Sequence, residues 1–255
     1  METQLNISKF FIYFRCRAFF IASFGLAIAS LGSATNAHSG NKLTLFENTY
    51  TAKLFGFSVM VTSRLTALND DNYQLQFRAD SVLGSVSEIS DIRWNAVEQR
   101  VMPFHYTYKR TSVGKNKDEQ LSFNWTTHTI DNLTSGKSFP FDSAAKIQDH
   151  LSYQLQMRED LIAGKSNFEY TITNGRKFKK YRFEVVGDET LTTPLGDVKT
   201  VKVKRTNTSD DTVIHAWFAK SFQYLLVQLQ QEENGSAYTI YLSKAAINGK
   251  AIEHF

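Results

Sequence analysis

The chain is poor in residues that punctuate or cross-link. It has one cysteine and three prolines in 255 residues, and no stretch of five like charges. A single thiol can neither close an intrachain disulfide nor supply a Cys-x-x-Cys metal site, which excludes a disulfide scaffold and a zinc ribbon. Tyr13-Phe14-Arg15 precede Cys16, so it lacks the small apolar neighbours of a lipid-modified cysteine. Three prolines beside 20 phenylalanines and 11 tyrosines exclude a disordered secreted tail, whose composition runs the other way. Long apolar runs are scarce as well. The longest, residues 18–31, is broken by serine and glycine and falls short of the ~20 residues that a membrane-spanning helix needs. Membrane contact is expected to be peripheral at most.

The N-terminal region is nevertheless ordered in a familiar way. Lys9, Arg15 and Arg17 precede that apolar run, and the small residues Gly32-Ser33-Ala34-Thr35-Asn36-Ala37 follow it. This pattern predicts a secretory signal peptide cleaved after Ala37, with Ala34 as the alternative. Residues 1–37 carry Lys9, Arg15, Arg17 and Glu2, so the 29 basic and 25 acidic residues fall to 26 and 24 on cleavage. A near-neutral chain has no electrostatic footprint for nucleic acid. Residues 38–255 are long enough for one domain with a full core.

Period two dominates that domain. Tyr73, Leu75, Phe77 and Ala79 alternate with Gln74, Gln76 and Arg78, and similar runs surround Tyr50, Val59, Tyr106, Phe123, Tyr170, Phe183, Val203, Val227 and Ile240. The fold class read from this is mainly β: a curved antiparallel sheet, half-barrel or open barrel, of about ten strands with one helix packed on it. Asn174-Gly175 between two such runs predicts a type I′ hairpin, because both central residues of that turn need positive φ. The period breaks once. Leu151, Leu155, Arg158 and Ile162 follow helical spacing and predict one helical face, with Asp149 as N-cap and Gly164 as the stop; a start at Asp142 is the alternative.

Asp149-His150-Leu151-Ser152, Arg158, the segment from Gly187 through Pro194-Leu195-Gly196, Val201-Lys202-Val203-Lys204-Arg205 and His215-Ala216-Trp217-Phe218-Ala219 succeed one another in a telling order. Their succession resembles a secreted bacterial family known as domain of unknown function 3108. The resemblance implies a periplasmic all-β protein with one helix, and it implies no established activity. One departure stands out: members often place a proline after the Trp-containing strand, whereas this chain reads Phe222-Gln223-Tyr224-Leu225-Leu226. At the level of architecture alone, the pattern is similar to the curved half-barrels of periplasmic lipoprotein carriers.

Candidate chemistry is thin. His105, His128, His150 and His215 form no two-histidine spacing on one element, so no metal site or cofactor is expected. Ser152 near Asp149 has no nucleophile-elbow glycines and reads as capping. Glu88 and Asp91 beside Trp94 suggest a glycan hydrolase only if they converge, and their separation puts them on opposite faces of a strand. Arg158 on an apolar helical face must pair or snorkel, with Glu184 or Glu189 as the expected partner. With no catalytic residue assigned, the leading expectation is a non-enzymatic binder of an apolar or amphipathic envelope component, a lipid or lipoprotein, through Arg158, Trp217, Tyr106, Phe123 and Tyr170. The alternative is an assembly partner of another envelope protein.

Overall fold

A computed structural model describes residues 42–54, 57–112, 116–142, 144–207, 212–233 and 236–255. The expected signal peptide and Cys16 lie outside the described residues, as do Gly56, Gly114 and Asp210 of the expected turns.

Among the described residues, sixteen strands form one sheet. The first eight are β1 (Phe46–Leu54), β2 (Phe57–Asn69), β3 (Asn72–Ser81), β4 (Gly84–Asn95), β5 (Arg100–Ser112), β6 (Lys117–Asn124), β7 (Thr129–Asn132) and β8 (Lys137–Pro140). After β9 (Ile147–Gln148) comes the helix α1 (Ser152–Ile162). Then follow β10 (Asn167–Thr173), β11 (Phe178–Thr193), β12 (Gly196–Arg205), β13 (Thr212–Ala219), β14 (Leu225–Glu233), β15 (Ser236–Ile247) and β16 (Lys250–Ala251).

The strand order runs β8 to β1, crosses to β15, and descends to β10 and β9, with β16 beside β15. Both arms are antiparallel meanders. They join in the middle of the sheet, where Phe46 faces Ile247 and Tyr50 faces Leu242. The exception is the parallel pair β9–β10, whose crossover is α1.

The expected class, mainly β and antiparallel with one helix, describes this architecture, and the sheet stays open between β8 and β9. The expected strand number does not: sixteen are present, not about ten. In β4 the inward positions include Glu88 and Ser90, which interrupts the apolar alternation. In β13 the outward positions hold His215 and Trp217, which hides it. The remaining four, β7, β8, β9 and β16, have two to four residues each, too few to show a period.

Curvature follows from the helix. α1 packs against both β5 and β10, which stand ten places apart in the strand order. Flat strands that far apart would be separated by ~48 Å, whereas a helix is ~10 Å wide, so the sheet wraps around α1. No residue of α1 is exposed, and Gln156, Asp160 and Arg158 are buried along with Leu155, Met157 and Leu161. The single apolar face expected from Leu151, Leu155, Arg158 and Ile162 is therefore too narrow, and Ile162 itself is half-buried.

The buried polar side chains of α1 act as pins. Gln156 accepts from the Val101 N–H at 2.7 Å and donates to the Gln99 carbonyl at 3.0 Å. Asp160 accepts from the Tyr170 hydroxyl at 2.8 Å and from Lys165 at 2.6 Å. Helix entry is set by Asp149, whose Oδ1 accepts the N–H groups of Leu151 and Ser152, both at 2.7 Å. Ser152 Oγ accepts the Asp149 N–H in return at 3.0 Å, and Gly164, at φ +77°, ends the helix.

The hairpin at Asn174-Gly175 is present, but not as a type I′ turn. Its loop has four residues, 174–177, and only Gly175 takes positive φ. The reason is a contact across the open seam. Asn132 on β7 donates to the Gly175 carbonyl at 3.1 Å, and a Cβ on Gly175 would lie 2.2 Å from Leu121 Cδ2.

Candidate functional site

The core divides into two apolar clusters, one around Val61, Leu75, Tyr106 and Ile130, the other around Tyr170, Tyr181, Val203 and Phe218. Between them, under α1 and over the middle of the sheet, lies a cavity with about 1420 Å³ of non-atom space, part of it open to solvent. Alternation builds its walls: β1 presents Phe46, Asn48 and Tyr50, β13 presents Ile214, Ala216 and Phe218, and α1 closes it with Leu155, Met157 and Arg158.

Polar groups interrupt this apolar wall: Ser63, Glu88, His150, Gln154 and Gln231 line it together with Asn48, Tyr50, Arg158 and Arg205. Arg158 is 5 % exposed. Its Nε donates to the Gln223 carbonyl at 2.7 Å and its Nη1 to the Thr44 carbonyl at 3.0 Å, while Nη2 has no hydrogen-bond partner. The guanidinium lies 5.3 Å from the centre of the Phe46 ring. Burial lowers its pKa, against the nearby Glu159 and Tyr50, which favour the charged form. The Tyr50 hydroxyl donates to the Leu226 carbonyl at 3.1 Å and accepts from Asn48 at 3.2 Å, and burial pushes its pKa up. Asn48 Oδ1 is buried without a partner.

A second guanidinium, Arg205, is 3 % exposed and stacks 3.6 Å over the Tyr181 ring, with Nε unpartnered. Among the described residues neither arginine forms an ion pair within 4 Å. The expected partners of Arg158 are elsewhere: Glu189 accepts from Lys202 at 2.9 Å and from the Trp217 indole at 2.6 Å, and Glu184 stands opposite Lys204 and Asn167 in the sheet. Arg158 is held by backbone carbonyls instead. One of them, on Gln223, belongs to the turn where proline is missing; Gln223 and Tyr224 both take left-handed conformations there, at φ 54° and 52°. Two consecutive non-glycine residues in that region are strained, a condition that functional sites tolerate.

Of the residues singled out from sequence, Arg158 lines the cavity. Tyr106 is buried in the larger cluster and donates its hydroxyl to Glu88, Phe123 packs in the same cluster, and Tyr170 is tied to Asp160. Trp217 faces the other side of β13, bonded to Glu189 with Lys202 over its ring at 4.9 Å. Arg205, Asn48 and Tyr50 were missed, although strand alternation marks them. Val201, Val203 and Arg205 share one face of β12, and Phe46, Asn48 and Tyr50 share one face of β1.

Glu88 faces the cavity, whereas Asp91 points to the opposite side of β4 and accepts from Gln74 at 2.8 Å, so the two carboxylates do not flank a common bond. Among the described residues no three histidine, cysteine or acidic groups converge on a metal position, and no helix is long and apolar enough to cross a membrane.

No curated protein matches the chain. Among solved structures, a β-barrel-like protein of domain of unknown function DUF1849 from Brucella abortus is similar at TM-score 0.55 and 9 % identity, covering 81 % of this chain and 98 % of that one. It shares the fold. A domain described as a putative outer membrane lipoprotein-sorting protein from Vibrio parahaemolyticus covers 82 % of this chain and 87 % of its own at 10 % identity, but superposes at TM-score 0.22, too loosely to inform the fold. The family described as "Protein of unknown function (DUF3108)" matches residues 46–243, most of the sheet and all of α1, and the chain belongs to that family.

Proposed function

We propose that this protein is a non-enzymatic binder of an apolar or amphipathic molecule of the bacterial cell envelope, held in the cavity between α1 and the sheet. The observation that carries this reading is the cavity itself, a solvent-connected space between α1 and the sheet whose walls are mostly apolar side chains. Concave apolar sites with a few placed polar groups are the usual form of small-molecule pockets. The export pattern in residues 9–37 supports a periplasmic location, where lipids and lipoproteins would be natural cargo.

Assembly through strand edges is disfavoured by the edges themselves. β8 has four residues and carries Lys137 and Pro140, and β9 has two. Short edges bearing lysine or proline resist pairing with another sheet.

Native mass spectrometry of the mature protein from the periplasm, followed by organic extraction, tests the proposal. A lipid at defined stoichiometry is expected. Ala216→Phe, which fills the cavity from β13, should weaken rebinding of that lipid by about tenfold or more, equivalent to ~1.4 kcal/mol. A bare protein that also ignores fatty-acid and phospholipid probes would overturn the reading.

A further inference from the structure

Two guanidinium groups on one apolar wall call for an explanation. Arginine stays charged in proteins, so burial cannot be relieved by losing a proton. A buried cation is ordinarily paired with a carboxylate, and the uncompensated case is strongly unfavourable. Arg158 and Arg205, 5 % and 3 % exposed, have no such partner among the described residues, and each keeps one buried nitrogen without an acceptor, Nη2 and Nε. Glu88 is the acidic residue on the same wall, and the Tyr106 hydroxyl already donates to it.

Arg158 is also aimed. Two backbone carbonyls, of Thr44 and Gln223, fix the fork from one side, the second supplied by the left-handed pair Gln223 and Tyr224. A strained turn that spends a carbonyl on a buried cation positions that cation, and although Glu159 is near enough to favour its charge, no carboxylate pairs with it within 4 Å among the described residues. Around it the wall is Phe46, Met157, Leu155 and Leu226.

We infer that the cavity takes a chain-bearing acid, its carboxylate or phosphate head on one of the two buried guanidiniums, Arg158 or Arg205, and its hydrocarbon along the apolar wall. The inference rests on the binding role proposed above and specifies its ligand class. A neutral lipid would leave both cations uncompensated. A small free anion would satisfy them but leave the apolar wall unused.

Calorimetric titration of delipidated mature protein with dodecanoate, dodecyl phosphate, dodecanol and inorganic phosphate separates these cases. Both chain-bearing acids are expected to bind about 30-fold more tightly than dodecanol, the preference that charge-assisted hydrogen bonds supply. In Arg158→Gln or Arg205→Gln, whichever residue holds the head, that preference should shrink towards one, and loss in neither would overturn the assignment. Equal binding of acid and alcohol by the native chain would overturn the acid-head assignment and leave the binding role standing. Inorganic phosphate binding as tightly as dodecyl phosphate would overturn the chain. Failure of every probe would remove both proposals. If Arg158→Gln does not fold, the acid-to-alcohol ratio of the native chain and the Arg205→Gln variant still decide.

Discussion

At Asp149 a carboxylate sits out of contact with water and accepts from two backbone N–H groups and from Ser90 Oγ at 2.6 Å. Burial raises its pKa above the ordinary 3.8 despite these donors. The folded state therefore holds a proton here more strongly than the unfolded chain does. The stability contributed is complete below pH 3.8 and is lost as pH rises through the raised value. Asp149→Asn keeps an acceptor for Leu151 and Ser152 without the charge. Its unfolding free energy relative to the native chain should therefore increase as pH rises from 3.8, in urea titrations run across that range. A constant difference would show that Asp149 does not titrate with folding. Asp149 was legible from sequence as the residue that fixes the helix entry, since Asp before a helical period is a direct signal, although the N-cap position itself falls two residues later, at Leu151, which makes no side-chain cap. Its contact with Ser90 was not, because 59 residues separate them and nothing local in β4 announces that Ser90 faces inward.

Elements show the same division between local and distant causes. The strands whose inward residues are apolar, such as β3 with Tyr73, Leu75 and Phe77, could be read by alternation alone. β4 could not, because Glu88 and Ser90 occupy inward places to meet Tyr106 and Asp149. The helix was legible as an element, but its burial on all sides was not, since Gln156 and Asp160 look like solvent residues until the sheet closes round them. At the hairpin between β10 and β11, Asn174-Gly175 correctly announced a turn, while the seam contact with Leu121 and Asn132 set its shape. Gly175→Ala combines a left-handed backbone with a 2.2 Å approach, and should cost about 2 to 4 kcal/mol in urea unfolding. Gly164→Ala, equally left-handed but with open space around it, should cost only about 1 to 2 kcal/mol. Equal losses at the two positions would mean that the seam contact contributes nothing. In the candidate site, Arg158 was readable as a cation on a helix face, whereas its carbonyl anchors come from residues 114 and 65 positions away.

On the scale of the molecule, every antiparallel pair but one joins strands that follow each other in sequence, the exception being β1 with β15. That one junction brings together residues about 200 apart, as when Leu45 donates to Asn248 at 3.0 Å across 203 positions. The two free edges, β8 and β9, are by contrast consecutive in the chain. Opening the backbone between them and joining residue 255 to residue 42 through a short linker would relocate the break without altering a single pairing. The permuted chain would read β9, α1, β10 to β16, then β1 to β8, an unbroken zigzag in which each strand meets its partner as soon as both exist. Its loop-closure entropy is lower and its refolding should be faster than that of the native order, with unfolding little changed, in stopped-flow measurements of both chains. In the present order the cavity floor at Tyr50 and Ile240 needs β1 to wait for β15, whose pairing closes the centre of the sheet.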